Sequence, residues 1–167
     1  MIVIIYNMKT IYSYITEAEI SLARELVNFL KSSEKDFYAS PADEEFDIPP
    51  SHAELCEKYH IKELSISKTT AYDEYKDVPT NNKTLYITDV MISDKNSGFG
   101  SKVMQEIIAA AHKCNYDVCL HPDDMFGSNL ERLVQFYEKQ GFVTSEIANE
   151  RNVKGKGQWY IMFNYCK

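Results

Sequence analysis

The chain has 167 residues and a net charge of −7, with 44% apolar, 13% aromatic and 26% charged residues. That content supports a packed core and excludes a disordered chain, and the few glycines and prolines exclude a collagen-like or low-complexity one. An acidic balance also argues against direct nucleic-acid binding, which needs cations to neutralise phosphates.

The length predicts a single domain over residues 1–167. Cys56, Cys114, Cys119 and Cys166 make no C-x-x-C pair and lie among apolar residues, as small hydrophobes of a reducing compartment do. The apolar start at 1–6 lacks a basic region, and no stretch approaches the roughly 20 apolar residues that span a bilayer. The expectation is a cytoplasmic protein without a membrane partner and without a metal.

In chain order, 2–6 and 10–15 read as extended. Thr16-x-x-Glu19 is a capping box that opens a helix to about Lys31, with Ile20, Ala23, Leu26, Val27 and Leu30 at helical spacing. Residues 34–50 read as acidic and turn-rich. Ser51-x-x-Glu54 opens a second helix to Tyr59. One or two strands are expected within 64–77, a turn at 79–82, and a clear strand at 84–92 (TLYITDVMI).

A glycine loop at 95–100 then leads into a helix over 101–114, whose Val103, Met104, Ile107, Ile108 and Ala111 share one side. A short strand follows at 117–121, a loop at 122–128, and a helix at 129–140 that Gly141 ends at a position favouring positive φ. Strands at 142–148 and 158–165, joined by a turn at 152–157, complete an α/β pattern with a mixed sheet.

Gly98-x-Gly100 lies where a strand enters a helix. Helix N-termini expose unpaired N–H groups, and glycine lets a phosphate approach them closely. A tight turn that needs two glycines is the plain alternative. The spacing fits neither a Walker loop nor a dinucleotide fingerprint, whose third glycine would stand at Val103.

Lys95-Asn96-Ser97-Gly98-Phe99-Gly100 resembles the Q/R-x-x-G-x-G/A loop of the GNAT superfamily of N-acetyltransferases. The stretch ending Tyr137-Glu-Lys-Gln-Gly141-Phe142 is similar to that family's second signature, Y-E-K-x-G-F. One strand separates the two, as in the family, and the resemblance covers about residues 84–165. It departs from the pattern at Lys95, where Gln or Arg is usual, and at 92–94, which lack the common Pro. Leu130 stands where Asn is frequent, so Asn129, one place off, is either a cofactor contact or a plain helix N-cap.

The resemblance implies a GNAT-like fold: a central mixed, mostly antiparallel sheet of 6–7 strands flanked by about four helices, splayed between strands 4 and 5. Acetyl-CoA would be the cosubstrate. Val90, Met91 and Ile92 would pair with its pantetheine arm, and Lys95, Asn96, Ser97, Gly98, Phe99, Gly100 and Ser101 would hold its pyrophosphate. Tyr137 matches the family's general acid. Asp89 and His121 are the two candidates for the base, each set against a structural role. Cys119 is taken as core, because no paired His and Asp can be read around it.

The implied reaction is direct acetyl transfer to a primary amine of a small molecule or protein; the alternative is a catalytically silent acyl-CoA-binding or regulatory module. Glu34, Asp36, Asp43, Glu44, Glu45 and Asp47 against Lys35 would favour a cationic amine, or simply form a solvated loop. A homodimer is left open.

Overall fold

In the computed structural model the described residues are 20–41, 50–94, 96–123, 129–152 and 160–167. The expected strands at 2–6 and 10–15, the Thr16 capping box and most of the 152–157 turn lie outside them. So do Asp43, Glu44, Glu45 and Asp47 of the acidic segment.

Five helices and six strands are described: α1 Leu22–Lys31, β1 Asp36–Ala39, α2 Pro50–Tyr59, β2 Ile61–Thr69, β3 Lys83–Ile92, α3 Phe99–Lys113, β4 Tyr116–Leu120, α4 Leu130–Lys139, β5 Val143–Thr144, α5 Glu146–Asn152 and β6 Met162–Asn164. A 3-10 turn, Asp73–Tyr75, precedes β3. The sheet runs β1-β2-β3-β4-β6-β5, with β3 and β4 parallel and every other pair antiparallel. This mixed, mostly antiparallel sheet with flanking helices is the architecture expected above. Among the described residues no helix is long and apolar enough to cross a membrane.

One sheet face carries the main core. Leu64, Ile66, Leu85, Ile87, Val118 and Leu120 point into it and meet the apolar sides of α1, α2 and α3. In α1, Leu22, Leu26, Phe29 and Leu30 are buried at helical spacing. The start of α1 is capped from a distance: Glu106 of α3 accepts from the Ala23 amide at 3.0 Å and from the buried Tyr59 hydroxyl at 2.7 Å. Burial and that carboxylate push the Tyr59 hydroxyl up to about 12. The opposite face holds a smaller cluster of Cys119, Ala148, Ile161 and Phe163, bordered by Tyr72, Tyr75, Tyr86 and Tyr165. All five residues of β4 are buried, as a central strand covered on both sides requires.

The structure corrects the sequence reading at several elements. Within the acidic stretch, Asp36–Ala39 is a strand that pairs with β2 and buries Phe37 and Ala39. Over 142–148 the strand covers only Val143–Thr144, and a helix follows. The Ser145 hydroxyl accepts from the Ala148 amide at 3.0 Å, while the Asp77 carboxylate accepts from the Glu146 and Ile147 amides at 3.0 and 3.1 Å. Those bonds satisfy the first turn of α5, a capping arrangement that needs a distant aspartate. The last strand is shorter than expected, Met162–Asn164.

Where β3 and β4 begin, a buried polar network ties them. The fully buried Asp117 is 3.0 Å from Lys76 Nζ and accepts from Thr80, from Asn82 at 3.1 Å and from the Cys166 amide at 2.9 Å. Lys76 also meets Asp73 at 3.2 Å. Burial raises the Asp117 carboxyl, but these hydrogen bonds outweigh it and hold the group below the usual carboxylate range. Its contribution is therefore present above the unfolded-state pKa and lost as pH falls through the lower, folded one. Lys76→Met should cost about 3–5 kcal/mol by urea denaturation, because it strands a buried carboxylate. The double change Lys76→Met/Asp117→Leu should recover part of that loss.

Candidate active site

The parallel pairing of β3 and β4 runs from Lys83↔Tyr116 to Ile87↔Leu120 and ends there. β4 stops, while β3 continues to Ile92, paired only with β2. The result is a fork in the middle of the sheet. In the described residues it lies between the third and fourth strands, at the two strands expected to part. Val90, Met91 and Ile92 lie on the free arm of β3. Val90 and Ile92 pack on the main core, and Met91 pairs with Glu63 on the other face.

The β3 arm leads through Ser93 and Asp94 to the glycine turn. Gly98 is the N-cap of α3 with φ 86°, a left-handed conformation that glycine adopts freely. Asn96 is also left-handed, at φ 66°. Ser97 Oγ donates to the Asp94 carbonyl at 2.6 Å. α3 begins at Phe99, two residues earlier than expected, so Gly100 and Ser101 lie in its first turn. The first bond back along the helix is from the Lys102 amide to the Gly98 carbonyl at 3.1 Å; the Gly100 and Ser101 amides have no acceptor among the described residues. Lys102 Nζ stands 5.1 Å from the Tyr59 ring centre, and Lys95 lies outside the described residues.

α4 closes the same region. Asn129 is its N-cap, accepting from the Arg132 amide at 3.1 Å, so that oxygen already has a structural task. The other end is a Schellman motif: Gly141 takes φ 89°, the Phe142 amide donates to the Tyr137 carbonyl at 3.1 Å, and the Gly141 amide donates to Glu138 at 2.9 Å. Phe136 reaches the glycine turn, where a Cβ on Gly100 would stand 3.7 Å from its Cζ. Gln140 Nε2 donates to Ser101 Oγ at 3.3 Å.

Tyr137 packs between Phe136 and Phe142, with ring centres 5.2 and 5.8 Å away. Burial raises its hydroxyl above the usual phenol range, so at neutral pH it carries a proton to give. Although α4 is strongly amphipathic, none of its residues is buried; Val134, Phe136 and Tyr137 are only partly covered by the core.

Both base candidates flank the fork. Asp89 lies two residues past Ile87, the last residue of β3 that pairs with β4, and His121 directly follows β4 rather than ending it. Burial lowers the His121 ring below the usual histidine range, against the pull of Asp123. Strict alternation puts Asp89 on the side of Ile87, and the structure overturns this. Ile87 pairs with Ile66 and Asp89 with Ser65, so Thr88 is the extra residue of a bulge. Asp89 therefore shares the opposite face with Tyr86 and Cys119. There Tyr86 stacks on Tyr72 at 4.4 Å, and burial, the Tyr72 hydroxyl and Asp89 all raise the Tyr86 phenol. Burial likewise raises the Cys119 thiol, which fits a core residue and not a nucleophile.

His60, which carries no motif, also borders the turn, stacking on Phe99 at 4.2 Å. On its far side a cleft of about 500 Å³, lined by Cys56, Glu57, His60 and Ser93 among others, opens against α2.

No protein-family model and no curated protein matches the sequence. Among solved structures the fold is similar to Arabidopsis thaliana Naa50 in complex with the bisubstrate analogue CoA-Ac-MVNAL. The two share 13% identity over 78% of this chain and 98% of that one, with a TM-score of 0.44.

The turn's conformation is testable by itself. Gly98→Ala meets no atom within 4 Å of the new Cβ, so the cost should be the left-handed backbone alone, about 1–2 kcal/mol by chemical denaturation.

Proposed function

We propose that the chain transfers an acetyl group from acetyl-CoA to an amine. The observation that carries this reading is the fork at Ile87 and Leu120, whose free arm runs into a left-handed glycine turn at the N-terminus of a 15-residue helix. The arm offers unpaired strand edge to an amide-bearing chain such as pantetheine. The turn offers free amides and the positive end of a helix dipole to a pyrophosphate. Apolar, half-open walls from α4 and β3 lie between them.

In this reading the residues from Val90 to Ile92 hold the pantetheine arm, and residues 96–101 hold the phosphates; Lys95, also expected there from the sequence, lies outside the described residues. The amine nitrogen forms a bond to the acetyl carbon as the carbon–sulfur bond breaks. Tyr137 donates its proton to the departing thiolate, and the amine's proton leaves to Asp89 or His121, directly or through water. The lowered His121 pKa keeps its ring neutral and able to accept. Asp89 sits beside Tyr86 on the face opposite Tyr137, so acid and base approach the fork from opposite sides. Carboxylates near the fork, Asp89 and Glu63, favour an acceptor that is cationic before it loses its proton.

Acetyl-CoA should raise the melting temperature by mass action. Gly100→Val should leave the ligand-free protein folded and remove that shift, because its methyl groups cover the amides. A retained shift would rule out the phosphate cradle.

Tyr137→Phe should lower kcat by about 10- to 1000-fold in a free-thiol assay across an amine panel. The KM for acetyl-CoA should change little, since the ring remains. Full activity would reduce Tyr137 to a packing residue. Binding without turnover on any amine would favour the silent-module reading.

A further inference from the structure

His60 follows α2 at the position where a helix usually ends on glycine or asparagine, and it takes φ 54°. A histidine there gives up backbone freedom that glycine would keep. Such strain persists where the side chain has work to do, and three contacts show where this one is used. The His60 carbonyl accepts from the Ser93 amide at 2.8 Å and from Ser93 Oγ at 2.9 Å. Its ring stacks on Phe99, with planes 26° apart. Its Nδ1 lies 3.9 Å from Asp94 Oδ2. Ser93 and Asp94 enter the glycine turn and Phe99 leaves it, so one residue from the turn between α2 and β2 grips both ends.

We infer that His60 is the positioning residue of the glycine turn, holding it in the form that receives the pyrophosphate of acetyl-CoA. The inference rests on the acetyl-CoA reading above and adds to it a residue outside both sequence motifs. A turn held in its bound shape avoids the ordering cost that a loose one would incur on binding. His60 acts through Phe99 and the Ser93–Asp94 link and need not touch the ligand. Its effect should therefore fall on ligands that carry the pyrophosphate and spare those that lack it.

The experiment compares Kd values for acetyl-CoA and for S-acetyl-pantetheine, which has no pyrophosphate, in wild type, His60→Gly and Phe99→Leu. His60→Gly relieves the left-handed strain, so its ligand-free melting temperature should equal or exceed that of wild type. Its Kd for acetyl-CoA should nevertheless rise about tenfold, with S-acetyl-pantetheine unchanged. Phe99→Leu removes the stack from the other side, keeps the His60 backbone and should show the same selective loss; it carries the test should the glycine variant not fold. Affinity for acetyl-CoA within about twofold of wild type in these variants would overturn the inference. So would an equal loss for both ligands, which is the mark of general packing damage. Failure of wild type to bind acetyl-CoA would sink the cofactor reading itself, and the role of His60 with it.

Discussion

A buried carboxylate fixes the centre of the sheet. Asp117 has no exposure, and its hydrogen bonds reach Lys76, Thr80, Asn82 and the Cys166 amide. Asp117 belongs to β4, and these partners come from the segment before β3 and from the chain beyond β6. Parallel strands cannot be joined by a tight turn, so something else must hold their starting ends together. The Lys76–Asp117 pair does so where water is excluded, and an unpaired charge there would be costly. With the strands locked at one end, they can part at the other without losing register.

The fork is the consequence. Beyond Ile87, Asp89 to Ile92 of β3 pair only with β2, and the unpaired Thr88 of the bulge turns Asp89 to the face of Tyr86 while Val90 and Ile92 return to the core. A bulge beside a strand end re-aims side chains in this way. α4 lies across the opening with its apolar side half covered. Ordinary core packing would cover Val134, Phe136 and Tyr137 fully, at about 25 cal/mol for each Å² removed from water. Half covered, they forgo part of that stabilisation and leave apolar area beside the glycine turn.

How far the sequence discloses this depends on the range of the interactions. Gly98 and Gly141 are legible because a left-handed residue is a local demand that glycine meets. The helices α1 and α3 show in the spacing of their apolar residues, α2 in its Ser51-x-x-Glu54 pattern, and β3 in its run of strand-forming residues. β1 is hidden because four residues set among carboxylates carry too short an alternation, and only pairing with β2 reveals it. α5 is hidden because its cap, Asp77, stands far back in the chain. The side of Asp89 is not legible in the sequence because period two fails at a single inserted residue. His60 and Lys76 have no local signature at all; their partners are assembled by the sheet. The glycine turn could thus be read in advance, whereas the groups that hold it in place could not.

A chain of net charge −7 is in apparent conflict with the polyanionic cosubstrate proposed for it. Distant carboxylates are screened beyond about 8–10 Å at physiological salt, so the net charge matters less than the donors within the first few ångströms. At the turn those donors are the amides of Gly100 and Ser101, which have no acceptor among the described residues, and the start of the α3 dipole. The nearby carboxylate of Asp94 opposes them, and His60 Nδ1 faces it at 3.9 Å. The stack on Phe99 keeps the ring in place beside that carboxylate. The same residue that shapes the turn thus also faces the acidic group most opposed to an anion in it.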